Sequence, residues 1–573
     1  MVGPMAWKLI DKAKRVRADE IALVTPAAGG DVRMALCYPN TYYVGMSNLG
    51  FQSIYGLLNR TPGVVCERVF VPDPDDIDEH RRSRGGLFTL ESNARVQEFD
   101  ILGFSCSYEL DFVNVLKVLD LAGIPLRSAD RDERWPLVIM GGAVSFINPE
   151  PLADFIDAMV VGEGEEAVRA IVELWRETGR GSRAALLEAL SRIPGVYVPS
   201  LYHHTYDGIY ITGREVRAGA PERIERLAVK NLDFNSHTSI ITPHTEFSRS
   251  FLIEVSRGCP YLCRFCVVGY VYTPNRWRDV DQLWEACKVG LQHTKRVGLL
   301  GAVVNLYPKM PELTRRLLAE GAHCSFASLR ADSLKDEVVD AIQASGQETL
   351  TLAPETGDQD LRWFINKRMK DEALMKALER GVTRGVRNFR LYFMMGIPGE
   401  TEDNVRDTIR IISDCHRLIR EKGRPGSTLQ ASVSQFVPKA GTPFQWMPQA
   451  RAEEVDANMR RVAAHFKKAP ALKFNMESPR WVKIQGLCAR ADRRLGRVLE
   501  KVYWSGSPRD WQRACDEEGL DLDGFLYAER DPSFMMPWDV VQTDDLREKM
   551  LKELYRAKDF MAQRTALTVG APA

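Results

Sequence analysis

The 573-residue sequence predicts an α/β protein in three parts: a doubly wound N-terminal domain, a partial (β/α)6 barrel and a helical C-terminal cap. Apolar strands alternate with amphipathic helices up to residue 195, and the alternation resumes at residue 251 for six strand–helix units. Continuously apolar strands are typical of parallel sheets that helices cover on both faces. We expect domains at residues 1–195, 246–450 and 451–573, joined by a connector at 196–245.

The N-terminal domain is predicted from four apolar strands with turns and helices between them. The strands are at residues 32–38, 99–104, 136–140 and 158–161. A helix follows the first strand at 47–59, with Ser47 as its expected N-cap. This alternation predicts a Rossmann-like domain, in which ligands bind at the carboxyl ends of the strands.

The connector and the barrel follow. Two short runs, at 195–199 and 208–212, are predicted to pair as strands in the connector, and no helix is expected there. The predicted barrel strands are at 251–255, 297–301, 324–328, 349–353, 388–394 and 428–436. Helices lie between them, one of them at 359–381. Residues 451–573 are expected to be helical and are rich in charge and tryptophan.

Composition excludes several classes of protein. Hydrophobic residues make up 45% and charged residues 27% of the chain, as in ordinary globular proteins. Lys plus Arg and Asp plus Glu both number 77, so net charge gives no bulk attraction to nucleic acid or membrane. The N-terminal residues lack the apolar segment of a signal peptide, and no apolar run is long enough to span a membrane. We therefore expect a cytoplasmic protein with no membrane partner.

Three cysteines, Cys259, Cys263 and Cys266, lie in one short loop directly after the first barrel strand. Three thiolates can hold three irons of a 4Fe-4S cluster, and the fourth iron then stays open to a small molecule. A structural zinc site instead needs four ligands, usually as paired Cys-x2-Cys motifs. The spacing favours the cluster, with a zinc site or three unrelated core cysteines as alternatives.

The Cys-x3-Cys-x2-Cys loop at a strand end resembles that of the radical S-adenosylmethionine (SAM) superfamily. The resemblance implies a partial (β/α)6 radical SAM barrel and a cluster whose open iron binds the amino and carboxylate groups of SAM. Six residues are implied as SAM contacts: Phe265, Gly301, Glu355, Arg362, Gly396 and Gly399. The family often has an acidic residue after Gly301 and a serine at Asp358, and both are missing here. Arg362 is the nearby cation that could bind the SAM carboxylate instead.

The N-terminal domain resembles the cobalamin-binding domain of one branch of this superfamily. The resemblance lies in Gly141-Gly142-Ala143, 148–151, Asp157 and 162–165. It implies cobalamin contacts at Ser105, Gly141, Gly142, Gly162 and Glu163. The Asp-x-His-x-x-Gly motif that carries a lower cobalt ligand is absent, and the sequence around His80 does not fit it. Cobalamin would bind without a histidine lower ligand, or the domain has lost the cofactor and serves as a scaffold.

The leading hypothesis is a radical SAM enzyme that, with cobalamin, methylates or otherwise modifies an unactivated carbon of an unidentified substrate. An alternative is a rearrangement or cyclisation without methyl transfer. A third hypothesis is an RNA-binding iron–sulfur protein, motivated by the arginines of 490–497. An electron donor such as flavodoxin or ferredoxin is expected. Tyr270, Arg276 and Arg278 are candidates for substrate contact only because they follow the cysteine loop.

Overall fold

A computed structural model describes residues 7–83, 86–234, 236–327 and 329–570. Ser328, at the end of a predicted strand, lies outside these ranges. The fold class is confirmed: a doubly wound domain, a partial barrel and a helical C-terminal region follow one another along the chain. Within the described ranges, no helix is long and apolar enough to cross a membrane.

The N-terminal domain is a six-stranded sheet with helices on both faces. The six strands of this sheet are β2 (Val32–Tyr38), β3 (Val64–Phe70), β4 (Ile101–Ser105), β5 (Leu137–Gly141), β6 (Ala158–Val160) and β7 (Val196–Tyr197). A short strand, β1 (Ile21–Ala22), precedes them in the chain and lies outside this sheet. Its helices are α1 (Trp7–Ala18), α2 (Tyr42–Met46), α3 (Leu49–Asn59), α4 (Pro74–Ser83), α5 (Phe112–Leu121), α6 (Ala143–Ile147), α7 (Glu165–Thr178) and α8 (Arg183–Leu190). The strand order is β3-β2-β4-β5-β6-β7, parallel except for β7.

Two details of this domain differ from the sequence-based expectation. Strand β3 was not predicted because Glu67 and Arg68 interrupt its apolar run, yet both side chains are buried and paired. The predicted helix at 47–59 begins at Leu49, and its N-cap is Asn48, whose side chain accepts the Phe51 amide at 2.9 Å. The Ser47 hydroxyl instead donates to the Tyr43 carbonyl of the preceding turn.

The connector contains no α-helix in its described residues, as predicted. Its strands are β8 (Tyr202–Asp207), β9 (Tyr210–Val216) and β10 (Ile240–Ile241). Strands β8 and β9 form an antiparallel hairpin, and β10 pairs with β1. The predicted pairing of the two runs with each other was wrong, because Val196 and Tyr197 pair with β6 of the N-terminal sheet and Tyr210 pairs with Asp207.

The barrel is built of parallel strands with helices on its outer face. The strands of this region are β11 (Phe251–Glu254), β12 (Ser256–Arg257), β13 (Arg276–Trp277), β14 (Arg296–Leu300), β15 (His323–Phe326), β16 (Thr349–Glu355), β17 (Asn388–Met395), β18 (Thr428–Gln435) and β19 (Leu472–Met476). The helices are α9 (Val268–Val271), α10 (Val280–Leu291), α11 (Met310–Ala319), α12 (Asp336–Ala344), α13 (Gln359–Phe364), α14 (Asp371–Thr383), α15 (Glu402–Lys422) and α16 (Ala452–Phe466).

The barrel has one strand more than the six predicted. Strands β11-β14-β15 and β16-β17-β18-β19 form two parallel sheets, which a parallel bridge between Leu329 and Leu352 connects. The added strand, β19, lies beyond the predicted domain end at residue 450 and pairs in parallel with β18. It was not predicted because it is not an apolar run: Lys473 and Asn475 lie on the face opposite the apolar core that the strands form with the outer helices.

The C-terminal cap comprises α17 (Pro479–Arg490), α18 (Leu495–Val502), α19 (Pro508–Glu518), α20 (Leu522–Tyr527) and α21 (Asp544–Gly570). Its apolar side chains share one hydrophobic core with α5 of the N-terminal domain. The arginines of 490–497 do not form a surface patch, because Arg490 is completely buried and Arg493 is paired with the buried Glu150. The guanidinium of Arg490 donates to backbone carbonyls, including those of Phe525 and Met447. The motivation for an RNA-binding surface there was wrong.

Candidate active site

The cysteine loop is held from both sides. Gly258 has φ +87, and a Cβ there would lie 2.1 Å from the Tyr272 carbonyl oxygen, so only glycine fits at the start of the loop. The Cys266 amide donates to the Cys263 carbonyl at 3.0 Å, which forms a tight turn. The Asn366 side chain donates to the Leu262 carbonyl at 2.7 Å. The loop is therefore fixed by the segment between α13 and α14.

The thiols suit a cluster better than a single ion. None of the three is in a disulfide. Within the described residues, no three His, Cys, Asp or Glu side chains converge on one ion. A 4Fe-4S cluster does not need such convergence, because each thiolate binds a different iron. Burial raises the pKa of all three thiols, that of Cys266 to about 12, whereas the charges of Lys367 and Arg330 oppose the rise at Cys259 and Cys263.

Glu355 lies in the same environment, as expected from its place at the end of β16. Its φ is +71, in the left-handed region that a non-glycine residue seldom adopts. Its carboxylate accepts a hydrogen bond from Lys367 at 2.7 Å, and both side chains are about nine-tenths buried. Backbone strain of this kind collects at functional sites, where the surrounding structure holds it.

Arg362, expected to bind the SAM carboxylate, is completely buried and pairs with Asp371 of α14. Its Nε and Nη1 atoms are buried without a hydrogen-bond partner among the described residues, and its contact with the SAM carboxylate stays a prediction. The cation beside Glu355 is Lys367, which sequence reasoning missed because one helix was predicted over 359–381. The predicted helix is instead two helices, α13 and α14, and in the segment between them Asn366 and Arg368 have positive φ values of 56° and 49°.

The Gly396 loop follows β17. Gly396 and Gly399 have φ values of +78° and +80°, so both adopt the turn geometry that glycine permits. The Gly396 amide donates to the Glu400 carboxylate at 2.7 Å. Burial raises the pKa of Glu400 to about 7, although this hydrogen bond opposes the rise. A Cβ at Gly399 would lie 2.5 Å from the Met561 methyl group of α21.

Phe265 packs against an apolar cluster that lies between the Gly396 loop and α21. Phe560 and Met561 of α21 pack against the same cluster. The Arg264 guanidinium donates to the Glu553 carboxylate, also of α21, at 3.1 Å. The C-terminal helix therefore lies against both the cysteine loop and the Gly396 loop.

One cavity of about 490 Å³ lies between the N-terminal domain and the barrel. It brings together all five residues expected to contact cobalamin: Ser105, Gly141, Gly142, Gly162 and Glu163. Gly258 of the cysteine loop and Gly301 at the end of β14 line the same cavity. Its walls are mainly apolar, with Phe104 and Met140 on one side. Open parallel sheets bind ligands at this edge.

The glycines that line the cavity differ in what packs against them. A Cβ at Gly142 would lie 2.3 Å from the Cys106 carbonyl oxygen, and one at Gly162 would lie 2.3 Å from the Leu227 carbonyl oxygen. Both glycines are therefore required by backbone packing. A Cβ at Gly141 would have its nearest neighbour 4.0 Å away, which leaves this glycine open toward the cavity.

Glu163 joins the two domains. Its carboxylate accepts from Arg276 at 2.5 Å and from the Val229 amide at 2.7 Å, and Arg257 lies 3.1 Å away. Burial alone would raise the pKa of Glu163, but these partners together lower it. Most of its hydrogen-bonding capacity is used by the protein, so a direct contact with cobalamin is not its main role.

The remaining candidates are structural. Tyr270 and Arg278 are almost completely buried, and Arg278 pairs with Glu254. Arg276 is the partner of Glu163, so none of the three is open to a substrate. His80 is a residue of α4, its ring packs against the Phe88 ring, and it does not line the cavity. This agrees with its exclusion as a cobalt ligand.

The fold and the cysteine loop define an iron–sulfur enzyme built on a partial barrel, and comparisons with known proteins identify the family. Residues 50–199 match the family "Radical SAM proteins, N-terminal", and residues 253–412 match the "Radical SAM superfamily". These two regions together cover more than half of the chain. The chain therefore belongs to the radical SAM superfamily, which confirms the predicted 4Fe-4S cluster and SAM as cofactors.

Individual relatives differ in how much of the chain they share. Uncharacterized protein MJ0966 of Methanocaldococcus jannaschii is 27% identical over 86% of this chain and 95% of its own length. A tRNA-2-methylthio-N(6)-dimethylallyladenosine synthase of Alkaliphilus oremlandii is 27% identical over 32% of this chain, and the match spans 44% of that protein. Among solved structures, the cobalamin-dependent S-adenosylmethionine radical enzyme OxsB matches with a TM-score of 0.49 and 13% identity. That match covers 96% of this chain and 80% of OxsB.

Proposed function

We propose that this radical SAM enzyme binds cobalamin in the cavity between its domains and methylates or otherwise modifies an unactivated carbon of its substrate. One observation carries the proposal. The five residues expected to contact cobalamin line the same cavity as Gly258 and Gly301, which belong to the SAM side of the barrel. A ligand bound at the edge of the N-terminal sheet would therefore face the cysteine loop.

The groups that would occupy the site supply the difficult chemistry: the cluster gives the electron that cleaves SAM, and cobalamin would give the methyl group. The chain's own residues bind and orient them. Cys259, Cys263 and Cys266 would hold the cluster, and the positive charges of Lys367 and Arg330 would offset part of its negative charge. Ser105 and Gly141 offer a hydroxyl and an open backbone at the cavity edge.

The absence of a lower histidine ligand fits this proposal. No histidine lines the cavity in the part of the chain that the structure describes. Apolar side chains such as Leu36 and Phe104, rather than an imidazole, would lie against the bound cofactor. Mostly apolar pockets with a few placed polar groups are the usual form of cofactor sites.

The first experiment measures metals. The protein is expressed with cobalamin supplied, purified without oxygen and analysed for iron, cobalt and corrinoid absorbance. About one cobalt per chain beside about four irons supports the proposal. Irons without cobalt would contradict it, and would favour the alternative of radical rearrangement or cyclisation without methyl transfer on a scaffold domain.

The second experiment tests the radical SAM reaction itself. Cys263→Ala should lose iron and form no 5′-deoxyadenosine from SAM under reduction with dithionite or with a flavodoxin or ferredoxin. Cys324→Ala is the matched control. Cys324, on β15, is also buried, but it lies in the apolar core between the barrel strands and the outer helices. SAM cleavage by Cys263→Ala at the control's rate would refute the assignment of the cluster.

A further inference from the structure

The inner face of the barrel carries two cations, Arg390 and Lys473, that form no ion pair with the residues that the structure describes. We propose that Arg390 and Lys473 bind an anionic group of the substrate, a carboxylate or a phosphate, inside the barrel. The inference rests on the proposed function, since it assumes that the substrate of the radical reaction enters the barrel. It adds the chemical class of that substrate.

Burial alternates along the strands and shows which side chains face inward. On β17, Phe389, Leu391 and Phe393 are buried in the core beneath the outer helices. Arg390 and Tyr392 therefore lie on the opposite, inner face, because successive side chains of a strand point to opposite sides. The same alternation on β16, β18 and β19 places Thr351, Gln430 and Lys473 on the inner face.

The register of the sheet aligns these four residues in one row. Thr351 lies opposite Arg390, Arg390 opposite Gln430, and Gln430 opposite Lys473. Neighbouring strands are about 4.8 Å apart, so the Cα atoms of Arg390 and Lys473 are separated by about 10 Å. Two long, flexible side chains at that distance can reach one anion, with the Gln430 amide between them.

The next row of inner-face residues, two positions closer to the carboxyl ends of the strands, is also polar and is open to solvent. It contains Tyr392, Ser432 and Asn475, which face one another across β17, β18 and β19. Tyr392 is 38% exposed although β17 is flanked by strands on both sides. Such exposure in the middle of a sheet requires that its inner face is uncovered. A small molecule can therefore reach the row of Arg390.

Neither cation is neutralised by the described residues. Arg390 and Lys473 make no ion pair or hydrogen bond with them, and the Arg390 Nε atom is buried without a partner. Two carboxylates lie at the carboxyl ends of the barrel strands, away from the Arg390 row, and both are already paired: Glu254 with Arg257 and Arg278, and Glu355 with Lys367. A partly buried guanidinium without a counter-ion is unfavourable, which indicates that an anion supplied from outside completes the site.

The geometry also sets the orientation of the substrate. Arg390 lies five residues before Met395, the last residue of β17. The Cα atom of Arg390 is therefore about 16 Å along the strand from the Gly396 loop, which follows Met395. A guanidinium binds carboxylate or phosphate through two parallel hydrogen bonds. The anionic end of the substrate would be held at this depth, and the rest of the molecule would extend past Tyr392 toward the cysteine loop.

The test uses two probes that differ only in their anion, phenyl phosphate and benzoate, with phenol as the neutral comparison. Binding to the anaerobic, cluster-loaded enzyme is followed by ligand-observed NMR at constant ionic strength. The variants are Arg390→Gln and Lys473→Gln. The matched controls are Arg387→Gln, an exposed cation at the base of the same strand, and Lys468→Gln, an exposed cation before β19.

We expect at least one anionic probe to bind more tightly than phenol, and each inner-face variant to weaken that binding about tenfold. The controls should change it less than about twofold. Binding of phenyl phosphate alone would identify a phosphate, and binding of benzoate alone a carboxylate. The proposal is overturned if neither probe binds better than phenol, or if the inner-face variants bind as the wild type does.

The same samples separate this inference from the proposed function. SAM cleavage without substrate should be unchanged in Arg390→Gln and Lys473→Gln, because neither residue lies in the cysteine loop or the Gly396 loop. Retained cleavage and iron content also show that the variants fold. Loss of cobalt or of SAM cleavage in the wild type would refute the proposed function whatever the anion result.

Discussion

Lys367 Nζ lies 2.7 Å from Glu355 Oε1, and the ion pair is close enough to the cysteine loop to act on the pKa of Cys263. Burial alone would lower the pKa of Lys367, but Glu355 and Cys263 more than compensate, so the amine stays charged. Glu355 itself is held in a left-handed backbone conformation. The pair therefore joins a strained strand end to the cluster site.

Replacing Lys367 tests this link. Lys367→Met leaves Glu355 without its counter-charge, so we expect a loss of about 1–3 kcal/mol in the free energy of unfolding. It also removes a positive charge beside the cluster, which should make the cluster's reduction potential more negative. Anaerobic denaturation and redox titration measure the two effects. Lys370→Met, at an exposed position, should change neither, and an unchanged potential in Lys367→Met would show that the amine does not act on the cluster.

Glu163 and Arg276 should hold the N-terminal domain on the barrel. Arg276→Gln leaves a buried carboxylate with fewer partners, and we expect about 2–4 kcal/mol of destabilisation. Proteolysis within the connector should become faster. The double variant Glu163→Gln/Arg276→Gln should be less destabilised than the sum of the single variants, because no buried charge then lacks its partner. Additive effects would contradict the pairing, and Glu166→Gln on the exposed face of α7 is the control.

Glu150 should make stability depend on pH. Burial alone would raise its pKa, but Arg493, His204 and Tyr197 lower it to about 2. Its stabilising effect is therefore complete above the unfolded-state pKa of about 4.3 and is lost as pH falls from there toward 2. The contribution is up to about 3 kcal/mol.

Thermal unfolding of Glu150→Gln between pH 3 and pH 7 measures this contribution. We expect the largest deficit relative to the wild type near neutral pH, and a smaller one as pH approaches 3. Glu188→Gln, at an exposed position on α8, should follow the wild type throughout. A deficit that does not change with pH would show that packing, rather than charge, is lost.

Gly141 and Gly142 separate cofactor binding from folding. Gly142→Ala places a Cβ 2.3 Å from the Cys106 carbonyl oxygen in a left-handed conformation, so it should destabilise the fold by more than about 2 kcal/mol. Gly141→Ala meets only an ordinary contact and should fold normally, but its methyl group would point toward the cavity. We expect Gly141→Ala to keep its iron and its melting temperature while its cobalamin content falls. Equal cobalamin content in Gly141→Ala and the wild type would show that this edge does not contact the cofactor.

The Arg264–Glu553 pair should protect the cluster. Glu553→Gln weakens the only contact by which a charged side chain of α21 binds the cysteine loop in the described structure. Iron loss to a chelator under anaerobic conditions should become about five- to thirtyfold faster, since a charge-assisted hydrogen bond is worth about 1–2 kcal/mol. Glu548→Gln, on an exposed face of α21, is the control. An unchanged rate of iron loss would show that α21 does not limit access to the site.

Sequence reasoning located the cysteine loop, both glycine-rich segments and the cavity residues, because each follows an apolar strand and the ends of parallel strands meet at one edge. It could not give the partners of charged residues. Glu163 looked like a ligand contact, but its carboxylate binds Arg276, which is 113 residues away in the chain. Arg490 looked like a surface charge, but the backbone carbonyls of the cap surround it.

Two strands were missed for the same physical reason. Strand β3 contains two buried charged residues, Glu67 and Arg68, whose partners lie elsewhere in the fold, and β19 leaves one face of the sheet polar. Neither strand therefore shows the apolar run of a buried parallel strand. The interruption between α13 and α14, where Lys367 lies, could not be predicted from the sequence either. Asn366 and Arg368 have positive φ values there, and the Asn366 side chain makes a tertiary contact with the cysteine loop. Residues that depend on long-range contacts are those that a local pattern cannot predict.

The position of α21 has a consequence for biosynthesis. Glu553 is 289 residues downstream of Arg264, and Met561 lies against Gly399. On the ribosome, the barrel and its cysteines therefore emerge long before the helix that packs on them. Before α21 docks, that side of the loop is open to iron–sulfur assembly, and after docking the same access requires the helix to move away.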